Sequence, residues 1–196
     1  MEQSIAFFDE ITTNNTFLYG GKGVQLAWLY KQSLTSSFYK VPNGFVLPTD
    51  FVYQMFIHSH NEIKGLLEKY HACVDADVAC ELALCITDVI KNIAFSIDHI
   101  FLIKKAYKKL HSTLCAVRSS SVAEDSYMTS FAGQYESYLN LKTYTACVES
   151  IKKCCMSFFS AHATLYRCAH GISHDYNLAI IVQQMAPTRS IVSGVA

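Results

Sequence analysis

The 196 residues carry sixteen basic and sixteen acidic side chains, so the formal charge cancels. With 51% hydrophobic and 16% charged residues the chain can bury a core, and the balance excludes the broad basic face of a general nucleic-acid binder. No apolar run approaches bilayer length, and residues 1–13 carry Glu2, Asp9 and Glu10 but no basic residue, so neither a membrane span nor a secretory signal is expected.

Eight cysteines (73, 80, 85, 115, 147, 154, 155 and 168) are scattered, with no Cys-x-x-Cys pair. Reduced, mostly buried thiols in a cytoplasmic protein fit that spacing better than a disulfide framework. Cys154 and Cys155 point about 100° apart on a helix, which does not suit chelation of one metal.

The first informative stretch is Tyr19-Gly20-Gly21-Lys22-Gly23, followed by the apolar run from Val24. It reads as a glycine turn opening a helix, with a lysine where backbone donors and the positive dipole end meet, a place that welcomes an anion. A tight turn with an exposed lysine accounts for the same residues, and no Walker A pattern is present. Next, Pro42-Asn43-Gly44 reads as a turn and Phe45 to Leu47 as a short strand stopped by Pro48. Thr49 is placed to cap a helix from Asp50 to about Ser59, and His58 and His60 are surface residues on different faces of it.

Residues 61 to 112 read as helical. Leu82, Ile86, Val89 and Ile93 form one apolar stripe, and Ile100, Ile103, Tyr107 and Leu110 another. Asp75 to Asp77 and Ser96 to Asp98 mark helix starts, while Lys104, Lys105, Lys108 and Lys109 form a solvated face.

Leu114 to Val117 reads as a short buried strand with Arg118 at its exit. A hydroxyl-rich loop follows, with Ser119, Ser120, Ser121, Glu124, Asp125 and Ser126. The turn Ser130-Phe131-Ala132-Gly133 then leads to a second strand, Tyr135 to Leu141. An arginine fork beside small residues suits phosphate oxygens; a solvated loop with a surface arginine is the competing reading. Thr143 caps a helix whose buried face holds Val148, Ile151, Cys155 and Phe158. Another helix places Ala161, Leu165 and Cys168 together, carries Arg167 as a surface or ion-paired group, and ends at Gly171. Leu178 to Met185 is a β-branched strand. Gln183, Gln184 and Met185 suit an adenine slot or, equally, an edge strand with polar outward residues. Residues 190–196 begin a further strand.

In this order the segments resemble one family. Gly20-Gly21-Lys22-Gly23 with Leu26 is similar to its Gly-Gly-Lys-x-x-x-Leu opening, and Val41-Pro42-x-Gly44-Phe45 to its Val-Pro-x-Gly-Phe element. Val117-Arg118-Ser119-Ser120, Glu124-Asp125 and Ser130-Phe131-Ala132-Gly133-Gln134 match its central signature. Tyr166-Arg167, Val182-Gln183-x-Met185 and Ser193-Gly194-Val195-Ala196 follow. The family is the N-terminal ATP-binding, ATP-grasp-type domain of phosphoenolpyruvate synthase, pyruvate phosphate dikinase and rifampicin phosphotransferase, and the match covers nearly the whole chain.

The resemblance implies an α+β fold: a mixed sheet with packed helices, strands near 45–47, 114–118, 135–141, 178–184 and 190–196, and a helix-rich lobe near 50–112. It implies ATP as ligand, with Lys22 and Arg118 on the phosphates as catalytic groups. Ser130, Phe131, Ala132 and Gly133 would close over the phosphates, and Gln183 and Met185 would contact adenine. In the parent family a phosphoryl group passes to a histidine on a separate domain and then to pyruvate. The alternatives are a rifampicin kinase and a non-catalytic nucleotide-sensing or interaction remnant. The family's Mg2+ ligands lie on strands beyond Ala196, so the resemblance implies a truncated domain, inactive alone, holding no metal ligand, with a sheet edge open to self-association.

Overall fold

The computed structural model describes residues 5–12, 15–57, 61–121, 136–172, 174 and 177–186. Five strands form one sheet: β1 Ala6–Phe7, β2 Gly44–Leu47, β3 Cys115–Ser121, β4 Ser137–Leu141 and β5 Leu178–Gln184, in the order β1-β2-β5-β3-β4. Every pairing among them is antiparallel, where a mixed sheet was expected. The expected strand at 190–196, with its open edge, lies outside the described residues, as do His58 and His60.

β5 is the central strand. Its Leu-Ala-Ile-Ile-Val run is buried throughout, as a strand covered on both faces must be. Side-chain alternation then splits the sheet into two faces. Leu178, Ile180 and Val182, with Phe45, Leu47, Cys115 and Val117, face the large core. That core is completed by α2 (Thr49–Ile57), α3 (Asn61–His71), α4 (Ala76–Asn92), α5 (Ile97–Leu110) and α6 (Tyr144–Phe158). Ala179, Ile181 and Val46 face the other way, where Val24 and Ala27 of α1 (Thr16–Thr35) cover them.

The helix starts follow their caps. The Asp75 carboxylate accepts from the Asp77 and Val78 N–H groups, the Ser96 hydroxyl from His99, and the Thr143 hydroxyl from Ala146. Thr49 differs from expectation: its hydroxyl donates to the Phe17 carbonyl at 3.1 Å instead of capping α2. The two stripes are rotated slightly. α4 buries Ala79, Ala83, Ile86 and Ile90, and α5 buries His99, Ile103, Ala106 and Leu110. The four lysines of α5 are exposed, as their spacing suggests. Among the described residues no helix is long and apolar enough to cross a membrane.

All eight cysteines are free, and Cys115, Cys147, Cys154 and Cys155 lie in the core between β3 and α6. The Cys147 thiol is shifted upward by its hydrogen bond to Cys115 and then by burial. Burial raises Cys154 as well.

The helix α7 (Ala161–Ala169) departs most from the sequence reading. It buries Ala163, Thr164 and Arg167, while Leu165 is exposed. Gly171 takes the left-handed conformation after it, as expected of a C-terminal cap. Arg167 is not a surface residue: only 1% of it is exposed. Its guanidinium donates to Tyr70 Oη at 2.5 Å, to the Phe158 carbonyl at 2.7 Å and to His174 Nδ1 at 3.4 Å. It stacks on the Phe158 ring at 4.3 Å. These acceptors and ring faces give a buried cation hydrogen bonds while joining α3, α6 and α7. Arg167→Met is expected to lower unfolding free energy by about 3 kcal/mol in urea denaturation, because it orphans several partners of a charged donor. A loss under about 0.5 kcal/mol would contradict that role.

Candidate functional site

Arg118 does not sit at a strand exit. β3 continues three residues beyond it, because Ser119, Ser120 and Ser121 pair in register with Ile180, Ala179 and Leu178 of β5. The three serines are strand residues and buried, not a solvated loop. Nothing in a Ser-Ser-Ser run signals a strand by hydrophobicity; the ladder against β5 overrides the local preference.

The register also decides which residues share a face. Arg118 lies opposite Ile181, Ala116 opposite Gln183 and Ser120 opposite Ala179. Ile181 and Ala179 belong to the face covered by α1, so Arg118, Ser120 and Gln183 belong to it too. Arg118 and Ser120 are two residues apart, about 7 Å along the strand. Arg118 is half-buried, and its Nε lies out of solvent with no hydrogen-bond partner among the described residues. A buried donor in that state awaits an acceptor.

α1 meets this face through its glycines. The helix is broken at Gly20, whose φ of 67° and ψ of 163° are not helical. One turn precedes the break, and a second start follows it at Gly21. A Cβ on Gly20 would lie 2.5 Å from the Ser120 carbonyl oxygen, against the Ser120 hydroxyl as well. Only glycine fits there, in both conformation and space. The Ser120 hydroxyl spans the break: it accepts from the Gly23 N–H at 3.1 Å and donates to the Tyr19 carbonyl at 3.2 Å. A strand residue ninety-seven positions away thus caps the second helix start. Lys22 projects, exposed, from that first turn. The Tyr19 phenol is raised by burial, then by Asp50 and Glu10, and so stays protonated near neutrality.

Gln183 is 7% exposed. Its Nε2 donates to the Pro42 carbonyl at 3.0 Å, which fixes the amide's orientation. Gln184 faces the other way and is structural, bridging the Leu110 carbonyl and the Asn43 N–H. Met185 follows the strand end, with its N–H donating to the Leu114 carbonyl at 2.9 Å. The fold therefore brings the Lys22 turn, Arg118 and Gln183 to one face. Ser130, Phe131, Ala132 and Gly133 lie outside the described residues. Ser120 is the residue sequence reasoning passed over; its signal was its place two after Arg118.

A family model described as the pyruvate phosphate dikinase AMP/ATP-binding domain matches residues 17–196. The chain belongs to this family. It is an ATP-binding domain of the kind found in phosphoenolpyruvate synthase-like enzymes. It is 31% identical over 95% of its length to a probable phosphoenolpyruvate synthase of Staphylothermus marinus, of which that match covers 23%. It is 33% identical over 92% of its length to phosphoenolpyruvate synthase of Helicobacter pylori, again covering 23%. It is 31% identical over 94% of its length to rifampicin phosphotransferase of Bacillus subtilis, covering 21%. The chain spans about a quarter of the length of these relatives.

The glycines of this dikinase-type domain separate by geometry. Gly20→Ala is expected to destabilise by about 3 kcal/mol, from the left-handed φ and the clash with β3. At Gly23 a Cβ meets only Tyr19 and Val46 side chains at 3.5 Å, so Gly23→Ala is expected to be neutral or to gain about 0.5 kcal/mol. Chemical denaturation of both variants checks the contrast; equal effects would contradict it.

Proposed function

We propose that the face shared by α1, β3 and β5 holds the ATP of this dikinase-type domain, with Lys22 and Arg118 on the phosphates and Gln183 and Met185 at the adenine. The observation that carries the reading is the buried Nε of Arg118, which has no hydrogen-bond partner among the described residues. It sits on the strand whose next outward hydroxyl caps the turn bearing Lys22. A guanidinium and an ammonium suit phosphate oxygens, and a small-residue turn lets backbone donors approach them. Gln183, with its amide nitrogen spent on Pro42, offers its oxygen as an acceptor, which suits an exocyclic amine such as that of adenine. Ser130 to Gly133 complete the phosphate side in this reading.

The donor set named here is cationic and amide, so Mg2+, which prefers oxygen ligands, is held by other groups. ATP supplies the phosphoryl group. Lys22 and Arg118 bind and orient its phosphates and neutralise charge as it builds. In the whole protein the acceptor is a histidine on a separate carrier domain, and the final acceptor is pyruvate. That choice follows the relatives named phosphoenolpyruvate synthase. Rifampicin phosphotransferases match the same stretch at similar identity, so the acceptor is chosen outside it. We place the protein in the cytoplasm.

Lys22→Ala and Arg118→Ala are each expected to weaken ATP binding to the chain about tenfold by calorimetry, the size of one charge-assisted hydrogen bond. Wild-type affinity in either variant would remove that residue from the site.

A further inference from the structure

Three of the four residues from Gly20 to Gly23 are glycine. Glycine loses more backbone freedom on ordering than any other residue, so this turn is intrinsically loose. It is nevertheless held at one place against β3. Two side-chain hydrogen bonds that do so come from one group: the Ser120 hydroxyl takes the Gly23 N–H and gives its own proton to the Tyr19 carbonyl, one bond on each side of the Gly20 break. Ser120 is itself fully buried in a strand paired on β5, so its position is set by the sheet. Arg118 is carried by the same strand, two residues earlier and on the same face.

From this we infer that Ser120 is a positioning residue for phosphate binding: its hydroxyl fixes the Lys22 turn relative to Arg118, so that the two cations meet one polyphosphate. It touches no ligand itself. Its contribution is preorganisation, since a turn already ordered does not have to be ordered by the ligand. The inference rests on the nucleotide reading above and goes beyond it by naming what holds the two phosphate groups in register.

A merely structural serine would affect every ligand alike. A positioning one affects the phosphates and spares the base. The test is calorimetry of the 196-residue chain with ATP and, separately, with adenosine, for wild type and Ser120→Ala. The expected result is ATP binding about fivefold weaker in Ser120→Ala, the size of one helix cap, with adenosine binding within about twofold of wild type. Amide hydrogen exchange at Gly23 is expected to speed up in the same variant. Ser120→Cys, which fills the space with a weak hydrogen-bonding group, carries the same expectations where the alanine variant is unstable. Equal losses for ATP and adenosine, unchanged ATP affinity, or unchanged Gly23 exchange would overturn the inference while leaving the nucleotide site standing. A wild-type chain that binds neither ligand would overturn the site reading, and this inference with it.

Discussion

One hydroxyl joins the two halves of the site. Ser120 Oγ lies between the Gly23 N–H and the Tyr19 carbonyl, and both bonds cross from the sheet to the helix that covers it. That arrangement depends on several choices made far apart in sequence. Gly20 must lack a side chain, or β3 and α1 cannot approach. Ser120 must face α1, which fixes the register of β3 against β5. A slip of one residue would turn Ser120 to the large core and bring Ser119 to the helix. The same slip would turn Arg118 inward. Register, capping and the placement of the cation are therefore one constraint.

Arg167 and Arg118 are buried in different ways. Arg167 is almost wholly out of solvent and is wrapped by Tyr70, Phe158, Thr164 and His174. These acceptors and ring faces supply hydrogen bonds that water would have supplied, so this cation ties helices together. Arg118 is only half-buried, yet its Nε is sealed from solvent with no acceptor among the described residues. An unmet donor of that kind carries a standing cost, which a bound anion would offset. On the proposed reading, the same side chain would tie helices together in one place and hold phosphate in the other.

Much of the fold was legible because it rests on local signals. The β-branched run at Leu178 to Val182 and the caps at Asp75, Ser96 and Thr143 each announce themselves within a few residues. β1 was not legible: it is two residues long and exists only because β2 is there to pair with it. Ser119 to Ser121 read as loop because small hydroxyl residues have weak strand preference, and the partner strand lies some sixty residues on. Arg167 reads as a surface or ion-paired group because a sequence shows its charge but not acceptors at positions 70, 158 and 174. The family order of motifs picked out Lys22, Arg118 and Gln183. Only the register explains why the last two share a face, and only the broken helix explains how Lys22 is brought to it.

The central claim is that Arg118 Nε is the donor that the nucleotide's phosphates satisfy. It is tested most directly by following the Arg118 Nε–H resonance of the 15N-labelled chain during titration with ATP and with adenosine. The expected result is a saturable shift of that resonance, and slowed exchange of its proton with water, under ATP but not under adenosine. An Arg118 Nε–H resonance that stays unchanged while other resonances report saturation with ATP would contradict it.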